Sequence, residues 1–370
     1  MARKAHTVLT AGAFRADMRV ALVAMETTNH RDTEGNRRFE RLARGLADAG
    51  HEVMVFCSRW WSGDHESATL QGVEFRGVAE EGALGTFCAR LPYRLWQYGP
   101  DVVHTRPTPP PQVIAASTGG TLARAPLALE WFGDEGLAAD GRAARVVARE
   151  PQLVITPSEL IRTRARELGA LDEGSRVVPE GIEFDAVEEA DVAGEVDVAY
   201  AHPLDGSANA ESLLLGLAEL RDRDWTATIV GDGPRRGEYE EQAADLRIDD
   251  RVTFAGACDR ERRLSVYRGA HAFVQTAYRE YFATELLWAL ACGCVGLVEY
   301  QAESSAHELI ENCERSFRVT SPQELADAIV DAGQFDRLDV DDTWERYDHD
   351  AVAGMYVDTY GQLQSGFSFV

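Results

Sequence analysis

The stretch Arg279-Glu280-Tyr281-Phe282-Ala283-Thr284-Glu285-Leu286-Leu287-Trp288-Ala289-Leu290-Ala291-Cys292-Gly293 decides the fold. Its polar start, with Tyr278, reads as a loop. Thr284 is then placed to cap a helix whose apolar run closes at Gly293. Ala272 to Thr276 upstream reads as a strand, so the loop sits at a strand's carboxyl end and faces a helix N-terminus. Further upstream, the β-branched run Thr226 to Val230 is broken by Gly231-Asp232-Gly233-Pro234. A charged helical segment follows, then a strand, Arg251 to Phe254, ending at Gly256. Strand, helix and strand in this order predict a βαβ unit. Amides at a helix start lack partners and carry the positive end of the helix dipole, so those around Phe282, Ala283, Thr284 and Glu285 suit a phosphate.

The ordered set resembles the nucleotide-sugar half of family 4 glycosyltransferases, which have the GT-B fold of two facing Rossmann-like domains. The carrying residues are Gly231 to Pro234, Asp250 to Gly256, Ala270 to Val274, Glu280, and Ala289-Leu290-Ala291-Cys292-Gly293. The composition makes the resemblance one to haloarchaeal-type members with a divergent donor site. It implies retaining transfer of a sugar from a nucleotide-diphosphate donor to a glycan or lipid-linked acceptor, with no cofactor.

Composition bounds this reading. A chain of 370 residues, 45% of them hydrophobic, is long enough for two domains with two cores. A net charge of −25 disfavours nucleic-acid partners, whose phosphates need basic patches. Lys4 is the only lysine. An acidic, lysine-poor surface fits concentrated salt, where screening removes carboxylate repulsion; GC-rich codon bias is the alternative, and it leaves the acid excess unexplained. The six cysteines lack Cys-x-x-Cys spacing and most lie in apolar runs, as in a reduced, cytoplasmic protein. Cys292 and Cys294 lack the companions of a metal site. No apolar run reaches the roughly 20 residues of a membrane span. The start, Met1 to Asp17, is too polar for a signal peptide, and Met18 reads as the beginning of the fold.

In chain order, Arg19 to Met25 reads as a buried strand and Glu26 to Glu34 as a polar loop ending at Gly35. A helix then carries Phe39, Leu42, Ala43 and Leu46 to Gly50, before the strand His51 to Phe56. A dinucleotide fingerprint needs three glycines at this first turn and only Gly35 is present, so a nicotinamide site is rejected. The resemblance instead makes Gly35 the backbone-close glycine facing the donor. Leu91 to Trp96, with Arg90, Tyr93, Arg94 and Tyr98, mixes bases and aromatics; the preferred reading is a helix packed on the sheet ahead of the next strand, and the alternative is an interfacial surface making peripheral contact with the inner membrane face. Asp101 to His104 reads as a strand, and Pro107 to Pro111 as extended loop. Leu127 to Glu130 and Leu153 to Thr156 read as strands, and Ser158 as a helix cap.

The expected organisation is a first, acceptor-side domain over residues 18–182, a linker over about 182–195, a nucleotide-sugar domain over 196–340, and a C-terminal helix over 341–365 that packs back on the first domain. Val196 to Tyr200 and Ala210 to Leu220 open the second domain as strand and helix, and Ser321-Pro322 with Glu324 starts a capped helix.

The resemblance also implies site residues. Family members use two glutamates eight positions apart; Glu280 matches the first, for the sugar, and Trp288 stands at the second, either stacked on base or ribose or filling core. Gly233 and Gly256 join the donor side. The family's arginine and lysine in the second domain's first loop are absent, since Ala201 to Asn209 offers only His202 as a partial charge. Arg235, Arg236, Arg262, Arg263 and Arg279 could reach the cleft or pair with surface acids. The first domain's family histidine is also missing, and Glu130 or Asp134 stands near as an acid or base. An active transferase is the preferred reading; a GT-B protein that binds a sugar nucleotide or a partner as a regulatory or assembly subunit is the alternative.

Overall fold

The computed structural model describes residues 17–137 and 141–367, so the reading of the chain's start falls almost wholly outside the described residues. Two sheets carry the architecture. The first begins with β1 (Arg19–Val23), whose apolar Val20 to Val23 are buried on both faces as in a covered parallel strand, with Arg19 exposed at its start. Helix α1 (Glu34–Asp48) follows, with Thr33 Oγ1 accepting the Asn36 amide as its cap. Then come β2 (Glu52–Arg59), the hairpin β3 (Ser67–Leu70) and β4 (Val73–Glu80), α2 (Leu84–Tyr98), β5 (Val102–Thr105) and α3 (Pro110–Ala123). The remainder is β6 (Leu127–Glu130), α4 (Arg142–Arg149), β7 (Leu153–Thr156), α5 (Glu159–Leu168) and β8 (Ser175–Val177). The strand order is β3-β4-β2-β1-β5-β6-β7-β8, parallel except for β3.

After α6 (Phe184–Glu189) the second sheet is built from β9 (Val196–Ala201), α7 (Ala210–Glu219), β10 (Ala227–Val230), α8 (Arg236–Asp245), β11 (Val252–Gly256), α9 (Arg260–Gly269) and β12 (Ala270–Gln275). It continues through a two-residue strand β13 (Arg279–Glu280), α10 (Thr284–Ala291), β14 (Val295–Glu299), β15 (Glu303–Ser304), α11 (Ala306–Ile310), β16 (Ser316–Val319) and α12 (Pro322–Ala332). Its order is β11-β10-β9-β12-β14-β16, while β13 pairs with β15 outside it. A 3₁₀ turn (Asp342–Tyr347) leads into α13 (His349–Gly366).

Both sheets reverse direction beside their first strand, between β1 and β5 in one and between β9 and β12 in the other. In such sheets a crevice opens outside the strands' carboxyl ends at the reversal, where ligands bind. Helix α13 returns to the first sheet and packs on α1. At Gly45 the helices come so close that an added Cβ would stand 3.1 Å from Ala353 Cβ.

Several expectations need correction. Gly35 lies inside the first turn of α1, not in a loop before it. The linker region contains α6, which buries Phe184 and Val187. Pro110 and Pro111 open α3, because proline suits the first helical positions, where no amide partner is needed. Thr284 is the first helical residue of α10; the cap position is Ala283, which makes no side-chain cap bond. By contrast Ser158 and Ser321 cap α5 and α12 as their sequences predict.

Candidate functional site

The loops after β9 and β12 meet at the second sheet's reversal. His202, one residue beyond β9, places Nε2 3.4 Å from Oε1 of Glu280, and the buried Gln275 at the end of β12 donates to the same oxygen at 3.2 Å. Burial by itself would lower the His202 imidazole pKa, but hydrogen bonding and the charge of Glu280 outweigh it, and the net shift is upward. His202 Nδ1 sits 2.7 Å from the Pro203 carbonyl, which fixes the ring. Beside it the backbone is tight: a Cβ on Gly231 would stand 2.0 Å from the His202 carbonyl oxygen, and one on Gly233 2.4 Å from that of Leu204. These glycines let the β10 loop close on the β9 loop. Gly256 takes φ 74°, and its carbonyl accepts the Gly231 amide at 2.8 Å.

At the start of α10, Phe282 and Ala283 are buried. The Thr284 amide turns back to the Phe282 carbonyl, and the Leu287 amide bonds that of Ala283. The Glu285 and Leu286 amides between them have no acceptor among the described residues. Arg263 reaches this helix start, 3.3 Å from Glu285, whose Oε2 also accepts the Tyr267 hydroxyl at 2.5 Å. The other candidate arginines are drawn off: Arg235 pairs with Glu238, Arg236 with Glu240, and Arg279 with Glu303. Arg262 makes no ion pair among the described residues.

From the first sheet, β1 and β5 present Glu34 and Arg106. Glu34 opens α1 and is exposed to the cleft. Enclosure by the walls, together with the charges of Glu280, Glu180 and Asp134, raises its carboxyl to about 7. A charge effect from Glu280 on Glu34 means that the two halves present carboxylates to one cleft. Arg106 holds Asp134 at 3.2 Å, and Asp134 accepts the Gly35 amide at 2.9 Å. A Cβ on Gly35 would fall 2.3 Å from Arg106 Nη1. Gly35 is therefore spent on admitting Arg106, and its amide is already occupied, against the expectation that it faces the donor. Glu135 is raised to about 7 by burial, and caps the Phe132 and Gly133 amides at 2.7 and 2.8 Å.

The cleft floor ties the halves together. The Tyr281 carbonyl accepts from Ser158 at 2.8 Å and Ser305 at 2.9 Å, and its ring packs on Phe132 and crowds Gly133. Glu308 accepts the Glu159 and Leu160 amides, both at 2.8 Å, completing the start of α5 from the opposite half.

Two expected site residues lie elsewhere. Glu130 is fully buried, bonded by Arg38 Nε at 2.7 Å and the Tyr356 hydroxyl at 2.9 Å, with His104 Nε2 at 3.3 Å. Burial alone would raise its carboxyl, but Arg38 and His104 hold it down to about 2. A sealed, ion-paired carboxylate cannot exchange protons with a substrate, so Glu130 anchors α13. Trp288 is 7% exposed within the core beneath α10 and offers no open face for a base. Glu34 and Gln275 escape sequence reading: one reads as loop acid and the other as strand end until the fold sets Gln275 against Glu280 and brings Glu34 within reach of its charge. Among the described residues no group of three or more metal-ligating side chains exists, and no helix is long and apolar enough to cross a membrane.

Two Rossmann-like layers facing across a cleft, with the second reversal point carrying a carboxylate, an imidazole and an open helix start, define a GT-B protein. Residues 33–181 match the glycosyl transferase 4-like domain, and residues 183–333 match the glycosyl transferases group 1 family. Between them the matches take in most of the chain, which belongs to the GT-B glycosyltransferases of the family 4-like kind. A curated relative, the alpha-monoglucosyldiacylglycerol synthase of Streptococcus pneumoniae, is 27% identical over 157 residues; the alignment spans 38% of this chain and 35% of that protein's length. Among solved structures, a Rickettsia africae glycosyltransferase superposes with TM-score 0.74 at 13% identity, over 95% of this chain and all of the other. Anabaena HepE, solved with UDP and glucose, superposes with TM-score 0.65 at 17% identity, over 93% of this chain and 100% of the other.

Proposed function

We propose that this chain transfers a sugar from a nucleoside diphosphate donor to a glycan or lipid-linked acceptor, with retention at the anomeric carbon. The observation that carries the reading is the His202–Glu280 pair beside the open start of α10. The diphosphate lies against the Glu285 and Leu286 amides, where the helix dipole favours negative charge. A protonated His202 supplies cationic charge in place of the missing arginine and lysine, and Arg263 offsets the Glu285 carboxylate at the helix start. Glu280 accepts hydrogen bonds from the sugar's hydroxyls as positive charge builds at the anomeric carbon. The acceptor hydroxyl attacks on the face the diphosphate leaves; the carbon–phosphate oxygen bond breaks, and the hydroxyl proton passes to the departing phosphate. Glu34, ionised above about pH 7, orients that hydroxyl from the opposite wall.

Uridine-containing ligands in Anabaena HepE and a glycolipid synthase among the relatives support donor and acceptor of these classes. Six unpaired cysteines suit a reducing, cytoplasmic setting. The acid excess suits concentrated salt, which thermal melting across a potassium chloride series decides: a flat profile removes that part of the reading. The test of function is a screen of nucleotide sugars for binding, followed by release of free nucleoside diphosphate when cell-membrane extract is added.

A further inference from the structure

Helices α2, α3 and α4 lie side by side over one face of the first sheet. The chain has 62 acidic and 37 basic residues, yet these three helices contain no aspartate or glutamate and five arginines, Arg90, Arg94, Arg142, Arg145 and Arg149. Most arginines around the cleft are ion-paired, whereas Arg90, Arg142, Arg145 and Arg149 have no ion-pair partner among the described residues, nor does Arg124 at the end of α3. The same layer exposes apolar side chains. Tyr93 is 58% exposed and Trp96 55%, their rings 5.8 Å apart, with Ile114, Leu122 and Val146 open on the neighbouring helices. The acids that reach it come from outside: Glu66 pairs with Arg94, Glu150 accepts from Ser117, and Glu80 and Glu81 stand before α2.

We propose that this face docks on an anionic lipid bilayer. Basic and aromatic side chains on one surface match a headgroup layer that is negative outside and apolar just beneath. A second copy of this acidic chain offers carboxylates to the arginines but lacks the apolar layer beneath the charge that Tyr93 and Trp96 require. Net charge does not oppose the contact, because at about 0.1 M salt charges farther than roughly 10 Å from the headgroups are screened, and the local surface decides. The loop joining β6 to α4 also supplies Asp134 and Glu135, so the face borders the cleft and would bring a lipid-linked acceptor to it.

The inference deepens the lipid-linked acceptor reading, but its test needs no transfer. The full chain is floated with vesicles of phosphatidylglycerol and phosphatidylcholine, and with phosphatidylcholine alone, across a salt series. Binding is expected to the anionic vesicles only, weakening with salt. The variant Tyr93→Ser/Trp96→Ser/Arg142→Glu/Arg145→Glu, all exposed positions, should melt as the wild type does and lose binding at least tenfold. Tyr93→Ser/Trp96→Ser alone should lose part of it, which keeps the test informative if the fourfold variant misfolds. Absence of anionic-vesicle binding at the lowest salt at which the chain still shows its folded melting transition, or undiminished binding by the folded variant, overturns the proposal. So does a dimer in sedimentation that the variant dissolves, since a second copy would then cover the face.

Discussion

His202 Nε2 and Glu280 Oε1 stand 3.4 Å apart across the point where the second sheet reverses, one from the loop after β9 and one from the loop after β12. The carboxylate holds the imidazolium above its ordinary range, so His202 stays charged at pH values where a free histidine is neutral. Affinity for a nucleoside diphosphate should therefore persist above pH 6.5 and fall as pH rises through the raised pKa. Glu280→Gln should move that fall to lower pH. Titrations across pH check it; a wild-type affinity independent of pH between 6 and 9 removes His202 from the diphosphate site.

Glu34 gives the opposite limb. Its carboxyl is raised to about 7, so it is neutral below and ionised above that value. If the ionised form orients the acceptor, transfer should climb through about pH 7 in the wild type, and Glu34→Gln should flatten that rise while leaving donor affinity within a few-fold. The linkage has a second sign. A carboxyl with a raised folded pKa destabilises the fold as pH rises from about 4.5 to 7, so Glu34→Gln should also raise the melting temperature slightly at pH 8.

The buried network under α13 is structural. Removing Glu130 takes from the sealed Arg38 guanidinium its nearer carboxylate and leaves it only Glu180 at 3.1 Å; breaking a buried pair typically costs about 3 to 5 kcal/mol, and Glu180 sets the cost here toward the lower end. Glu130→Ala should lower the melting temperature markedly and loosen α13, read by hydrogen exchange at Tyr356 and Tyr360. Because the Glu130 carboxyl is depressed to about 2, its contribution is present above about pH 4.5 and lost as pH falls toward 2. An unchanged melting curve in the variant contradicts this role.

Trp288 separates core from ligand. As a core residue, Trp288→Ala should cost about 3 to 5 kcal/mol of stability, and nucleotide affinity should change only through unfolding. A variant that melts normally but binds nucleotide more weakly by about 1 to 3 kcal/mol would instead place the ring on the base.

What could be read from the chain alone follows from how local each signal is. Leu127 to Glu130 and Leu153 to Thr156 are short apolar runs bounded by breakers, and both are strands with those limits. Glycines after strands and serine caps mark their own elements. Burial is not local. Glu130 sits at a strand end like a catalytic acid, and only the return of α13 with Tyr356 shows it sealed. Trp288 lies on a helix beneath the site, but which way its ring faces depends on the core assembled from Tyr267, Trp344 and their neighbours. Glu34 looks like any loop acid until β1 and β5 set it opposite Glu280. The acid-free layer was half visible around Trp96, while its continuation in α4 needed the sheet order.

Whether Glu280 acts on the sugar in transfer is decided by comparing wild type with a single variant. Wild type and Glu280→Ala are given the nucleotide sugar that binds best, and nucleoside diphosphate release is measured on adding membrane extract, with melting temperature as the control. The variant should fold and bind donor within a few-fold, yet transfer on the order of a hundredfold more slowly. Transfer by the variant at the wild-type rate, or a wild type that binds donor and releases no nucleoside diphosphate with any acceptor extract, would contradict this role of Glu280.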